Sequence, residues 1–291
     1  MDPLALAFSA ALAAGGAPPA SRSLKGVVQE ALPAGAYTYL LIKTPDGAKW
    51  AGTEVPASYI EALFADPRVA VDQRVADRFN NPPPGQGEAM PWEEYRRRIV
   101  SEERIAAGAR FLGEQPSAAA AAARHQMDRG ILAAIAGIET FYGRNTGSYS
   151  VFNVYYTIAH RVPKRQEWGA KELAALVRIH YNDGTDPHLA RGSWAGAMGF
   201  VQFIPSSLLS YGVDGDGDGD RDLYTWPDAM YSAANYLRRN GYPAGATDFS
   251  HKGPIYWSIY AYNHSDNYAR AVLELRAAIL ARVTSKRPVA R

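Results

Sequence analysis

The sequence predicts a mainly α protein, with a helical N-terminal part followed by a larger core. Three observations predict this class. Apolar residues recur at helical spacing through residues 56–79, 91–112, 129–142 and 267–283. β-leaning residues are confined to the neighbourhood of Tyr37-Thr-Tyr-Leu-Leu-Ile42, within residues 24–50. No internal period of about 20–50 residues recurs, which excludes solenoids and propellers.

The first twenty residues form a short apolar segment ending in small residues, like the core and cleavage region of an export signal. The positive start of such a signal is missing, since the only early charge is Asp2, so a disordered Ala/Pro-rich tail is the competing reading. The segment falls short of the about 20 apolar residues that a spanning helix needs. Pro45-Asp-Gly47 reads as a turn after the β-leaning stretch. Helical patterning begins with Tyr59, Ile60, Leu63 and Phe64 and continues through Val69, Val71 and Val75. Three prolines and two glycines in residues 80–87 predict an exposed linker. Beyond it the helical pattern resumes over 91–112, and an alanine run from Ser117 leads into 129–142. Helices then alternate with glycine-rich loops as far as a long helix over 267–283, with Ser265 as a candidate cap. The expected division is 1–20 (export signal or tail), 21–114 (N-terminal, mostly helical) and 115–291 (core with C-terminal helix).

Composition narrows the function. With 47% hydrophobic and 21% charged residues, the chain is an ordinary globular one with material for a real core. A net charge of +2 with scattered Lys and Arg gives no footprint for nucleic acid. The absence of cysteine excludes disulfides, thiolate catalysis and Cys-zinc sites. The six histidines show no zinc-binding spacing.

The most conspicuous local signal runs from Asp214 to Asp222, where five aspartates alternate mostly with glycines. In an EF-hand-like loop, positions one, three, five, seven and nine face the cation and a glycine at six allows the turn. Here those positions are Asp214, Asp216, Asp218, Asp220 and Asp222, with Gly219 at six. The register breaks at position twelve, Thr225, and the next carboxylate is Asp228. Five like charges so close repel unless a cation offsets them, and an all-oxygen ligand set points to Ca²⁺. A solvated acidic turn is the alternative.

Glu139 is the one carboxylate in the apolar run 131–142, on the stripe of Leu132, Ile135 and Ala136. Burial there requires pairing, for which Arg144 is a candidate, or a raised pKa that keeps the acid protonated. The latter is what a general acid needs. A glycine-rich stretch from Gly192 to Ser207 contains Gln202, whose amide can bind a polar ligand. Tyr262 and Asn263 offer a flat ring and a donor–acceptor pair suited to a sugar.

Together these residues resemble the lytic transglycosylase B family of bacterial murein (peptidoglycan) enzymes. The likeness rests on Ile138-Glu-Thr-x-x-Gly-Arg144, Gly192-Ser-x-Ala-Gly-Ala-Met-Gly-x-x-Gln-Phe-x-Pro-Ser-Ser207 and Tyr211-x-Val-Asp-Gly-Asp-Gly-Asp-Gly219. It continues through Asp228-Ala-x-x-Ser-x-Ala-Asn-Tyr236, Asn240-Gly241, and Tyr262-Asn-His-Ser265 with Tyr268-Ala269. It is weaker over 56–112, where Asp66-Pro-Arg-Val and the Trp92/Tyr95 segment look similar to the family. The resemblance implies a lysozyme-like α core that cleaves the β-1,4 bond between N-acetylmuramic acid and N-acetylglucosamine in peptidoglycan glycan strands, in the periplasm or cell envelope of a bacterium. It implies Glu139 as catalytic acid, Ser193 as a conformation-holding serine, and Gln202, Phe203, Tyr262 and Asn263 as sugar contacts. It further implies a structural Ca²⁺ held by Asp214, Asp216, Asp218, Asp220 (through its backbone carbonyl) and Asp228.

A typical glycosidase sets two carboxylates across the bond, yet the sequence suggests no second acid in a comparable apolar setting. One acid suffices if the substrate supplies the nucleophile, which in the family gives a 1,6-anhydro end without water. A water-using muramidase and a non-catalytic peptidoglycan-binding protein are the alternatives. The chain departs from the family between Asn240-Gly241 and the last motif, where a sizeable insertion forming a small β subdomain is expected to be missing.

Overall fold

In the computed structural model, residues 55, 57–82 and 90–285 are described. The 1–20 segment, the stretch and turn within 24–50 and most of the 80–87 linker lie outside them. Helix α1 (Ala57–Ala65) and α2 (Gln73–Asn80) divide the 56–79 pattern. The division falls at Asp66-Pro67, and α2 starts afresh at Asp72, whose carboxylate accepts from the Arg74 N–H at 3.0 Å. The 91–112 pattern likewise divides into α3 (Trp92–Ile99) and α4 (Glu102–Glu114). Ser101 makes that break by accepting from the Arg104 N–H at 3.2 Å.

Helix α5 (Pro116–His125) carries its proline at the N-terminus, where a missing N–H costs nothing. Asp128 then caps α6 (Arg129–Thr140), accepting from the Gly130 N–H at 2.7 Å. The remaining helices are α7 (Val151–Arg161), α8 (Gln166–Asn182), α9 (Pro205–Tyr211), α10 (Trp226–Arg239), α11 (Pro254–Tyr262) and α12 (Asp266–Ser285). Ser265 caps α12 as expected, accepting from the Tyr268 N–H at 3.3 Å. Two short antiparallel strands, β1 (Tyr149–Ser150) and β2 (Arg191–Gly192), pair with Tyr149 opposite Gly192.

Helix α6 lies at the centre, packed by α4, α5 and α12. Every residue from Gly130 to Thr140 is buried, so the helix is enclosed all round rather than along one stripe. Each fully buried Ile or Leu here contributes about 1.5–3 kcal/mol relative to exposure. Ile131, Leu132 and Ile135 therefore offset the cost of enclosing a carboxyl on the same helix. The buried core is continuous across Gln115, joining Val75 and Tyr95 to the α6 residues.

Candidate active site

Glu139 sits one residue before the end of α6, with 6% of its surface exposed. Tyr268, at the start of α12, donates its hydroxyl to Glu139 Oε1 at 2.6 Å. The rings of Tyr262 and Tyr268 lie nearly parallel, 6.4 Å apart, and Tyr95 from α3 is close enough to feel the Glu139 charge. Burial pushes the Glu139 carboxyl up to about 7, while the Tyr268 hydrogen bond, the smaller effect, pulls the other way. The expected alternative partner, Arg144, is not there. It faces Glu103 at 3.6 Å and lies over the Phe141 ring. The cause is the left-handed turn at Phe141 and Tyr142, which ends the helix and carries Arg144 away.

The stretch 192–203 forms a folded wall. Ser193 Oγ accepts from the Ala197 N–H at 3.0 Å, and the Ser193 N–H donates to the Ala197 carbonyl at 2.8 Å. Ser193 thus shapes its own loop, and among the described residues no hydrogen bond joins it to Glu139. Met198 and Phe203 pair as an isolated bridge that pinches off the turn between them. Gly199 holds φ of +71°, where a side chain would collide with Leu223, so the turn admits only glycine. Gln202 also adopts a left-handed φ of +51°, a conformation costing about 1–3 kcal/mol outside glycine. Its Nε2 donates to the Thr146 and Gly199 carbonyls at 3.3 and 2.9 Å, fixing the amide. Phe203 is buried against Tyr236 and Tyr262. The Tyr262 hydroxyl donates to the Val201 carbonyl at 2.6 Å, which ties the end of α11 to this wall. Asn263, the buried C-cap of α11, follows it.

The geometry thus brings Glu139, Phe203 and Tyr262 around one aromatic cluster, with Gln202 on the adjoining turn. Tyr95 and Tyr268 belong to the same surround. Neither stands out by spacing, although Tyr268 lies in a quoted motif and Tyr95 in the weaker segment.

Glu172 corrects the expectation of a single buried acid. It lies on α8 with 4% exposure, and burial raises its carboxyl to about 7 as well. Its neighbours Lys171 and Glu167 are exposed, while Gly169, Leu176 and Glu172 are buried on the same helix. Both its oxygens are occupied: Oε2 accepts from the Ser206 N–H at 2.9 Å and Oε1 from the Ser206 hydroxyl at 2.7 Å. It serves as the N-cap that Ile204 cannot give α9.

In the aspartate loop, carboxylate oxygens of Asp214, Asp216 and Asp228 lie within 4.8 Å of one another. Asp228 is buried at the start of α10; its Oδ1 accepts from the Gly215 N–H at 2.7 Å, but Oδ2 is buried without a partner. An orphaned anionic oxygen beside two further carboxylates fits a hard cation, which would satisfy it. Burial foremost, then the charges of Asp216 and Asp214, raise the Asp228 carboxyl to about 6. Asp214 accepts from the Gly217 and Gly219 N–H groups at 2.6 and 3.0 Å, curling the loop inward. Asp218 and Asp220 instead accept from backbone N–H groups two residues ahead, both at 3.0 Å.

A profile described as the transglycosylase SLT domain matches residues 47–251, most of the chain, and the chain belongs to that family. Membrane-bound lytic murein transglycosylase B of Escherichia coli (strain K12) is 33% identical over 176 residues, covering 60% of this chain and 48% of that one. The chain therefore spans about half the length of this curated relative. SltB3 of Pseudomonas aeruginosa, solved in complex with NAG-anhNAM-pentapeptide, is 26% identical, with a TM-score of 0.68 and coverage of 78% of this chain and 75% of that one. The Escherichia coli lytic transglycosylase SLT35, solved in complex with calcium, is 24% identical, with a TM-score of 0.67 and coverage of 74% and 85%. The mainly helical, lysozyme-like fold expected from the resemblance is borne out by these likenesses.

Proposed function

We propose that this protein is a lytic transglycosylase cleaving the MurNAc-β-1,4-GlcNAc bond of peptidoglycan, with Glu139 as its only catalytic acid. One observation carries the reading: a carboxyl almost fully buried, held by the Tyr268 hydroxyl at 2.6 Å, and pushed by that burial up to about 7. Glu139 donates its proton to the leaving glycosidic oxygen as the C1–O bond breaks, while the substrate's own acetamido group stabilises C1. The resulting carboxylate takes the proton of the C6 hydroxyl as that oxygen bonds to C1. The sugar closes on itself as a 1,6-anhydro ring, no water is consumed, and Glu139 returns protonated. Glu172 does not act as a second carboxylate, because Ser206 holds both its oxygens. Gln202 has committed its amide nitrogen to protein carbonyls, so its amide oxygen is the end left for a sugar hydroxyl. Tyr262, Phe203 and Asn263 line the sugar site, and Ser193 keeps the loop beneath it in shape.

The ligand held by SltB3 joins an anhydro sugar to a peptide, which supports both this product and peptide-bearing strands as substrate. The SLT35 calcium complex and the orphaned Asp228 oxygen support Ca²⁺ on Asp214, Asp216 and Asp228, with Asp218 and Asp220 completing the EF-hand-like loop. The ion's contribution there is structural. No described helix is long and apolar enough to cross a membrane. A peptidoglycan substrate supports a location in the periplasm or cell envelope of a bacterium.

Digestion of purified murein followed by mass analysis tests the proposal. Anhydro ends are expected; reducing ends would establish the water-using muramidase instead. Glu139→Gln is expected to abolish release, by at least about 10³-fold, with the fold intact. Near-parental lysis by that variant would remove Glu139 from the reaction.

A further inference from the structure

A cavity of about 160 Å³ opens between α4, the turn after α6 and the start of α10. Phe111, Tyr142 and Trp226 line it, and Arg110, Arg144 and Glu114 supply its charges. The aromatic wall is rigid: Phe111 packs on Trp226 at 4.6 Å and on Tyr142 at 5.3 Å, and the Tyr142 hydroxyl donates to the Arg104 carbonyl at 3.0 Å. The two guanidiniums are weakly committed. Arg110 is exposed and has no ion pair among the described residues. Arg144 lies over the Phe141 ring and makes a single loose ion pair among the described residues, the 3.6 Å approach to Glu103, with 58% and 74% of the two side chains exposed. Such a contact is worth about 0–1 kcal/mol and is readily exchanged for a ligand.

We infer that this cavity binds an amino-acid carboxylate of the peptide arm carried by the substrate strand, an inference that rests on the proposed function. Size comes first. Pockets for whole small ligands run to about 300–1,000 Å³, so a space this small takes one residue-sized group and no disaccharide. Charge comes second. Two guanidiniums form planar, bidentate pairs with carboxylates, while Glu114 on the rim disfavours a dianion such as phosphate and suits a ligand that also carries an ammonium. Position comes third. Gly143 and Arg144 follow the Glu139 helix directly, and the Gly143 N–H donates to Thr140 Oγ1, which itself donates to the Phe200 carbonyl. The cavity is thus joined by one short turn to both the acid helix and the Gln202 wall. A peptide hanging from a sugar near Glu139 has a landing place on the same rigid unit.

The test is calorimetric titration of the full chain with NAG-anhNAM, NAG-anhNAM-pentapeptide, and the latter with its carboxylates amidated. The parent protein is expected to bind the peptide-bearing ligand about tenfold tighter than the bare disaccharide, the gain of one good charge-assisted contact. Amidation and the double variant Arg110→Ala/Arg144→Ala should each remove that preference and leave the affinity for bare NAG-anhNAM unchanged. Equal binding of bare and peptide-bearing ligands by the parent overturns the inference and leaves the proposed function standing. So does a preference that persists in the double variant. Failure of every ligand to bind overturns both. Arg110 is exposed, so Arg110→Ala alone, checked by its melting curve, repeats the test if the double variant misfolds.

Discussion

At the scale of the residue, burial holds the Glu139 carboxyl well above the ordinary carboxylate range. Its carboxyl lies at about 7 in the folded protein against an ordinary value of 4.5. Between those values the folded chain keeps a proton that the unfolded chain has lost. Stability is therefore greatest on the acid side and falls as pH rises from about 4.5 through 7. Glu139→Gln removes this burden, so the variant should match its parent near pH 4 and exceed it by up to about 3 kcal/mol near pH 8. Denaturant titrations at the two pH values check this, and an equal difference at both would refute it. Catalysis has the same sign, with kcat/KM expected to decline above about pH 7 as the acid loses its proton. Tyr268→Phe deletes a hydrogen bond that favours the ionised form, so the alkaline limb should move to higher pH. A pH–rate profile with an unmoved limb would mean that Tyr268 does not tune the acid.

At the scale of the element, the carboxyl of α8 substitutes for a missing helix cap. Glu172→Ala leaves the Ser206 N–H and hydroxyl at the start of α9 without their acceptor and should cost about 1–3 kcal/mol. Glu172→Gln keeps an acceptor and the volume, so its cost should stay below about 1 kcal/mol. Urea midpoints measure both, and equal losses would show that Ser206 draws nothing from the acceptor. This element also shows where reading the sequence runs out. Helices α6 and α12 were legible because long apolar periodicity leaves little choice. The breaks at Asp66-Pro67 and Ser101 were not, since each depends on a polar group capping the chain only once the neighbouring turns exist. Glu172 was not legible for a related reason: its partner Ser206 lies 34 residues away, and the exposed charges Glu167 and Lys171 precede it. Glu139 was legible because α6 carries no other charge beyond its first residue. Its tyrosine partner was not, because α6 contains no sign of which later helix will cover it.

At the scale of the whole molecule, the aspartate loop connects α9 to α10, and α10 packs on α5 and α11. A cation on Asp214, Asp216 and Asp228 would brace that connection in the folded state alone. Excess chelator should lower the melting temperature by several degrees, in line with about 2–4 °C per kcal/mol for a chain of this size. Activity at low temperature should fall less, because Glu139 draws its partner from α12 and not from the loop. An unchanged melt would count against an occupied loop. The placement of that partner has one more consequence. Glu139 and Tyr268 are separated by 129 positions, so the ribosome delivers the acid long before the helix that encloses it. Until α12 docks, Glu139 lacks the Tyr268 hydroxyl and the share of its burial that α12 supplies, and less burial moves a carboxyl back toward its ordinary range. A nascent or clipped chain lacking that helix would hold every atom of the carboxyl and keep a smaller share of it protonated at neutral pH.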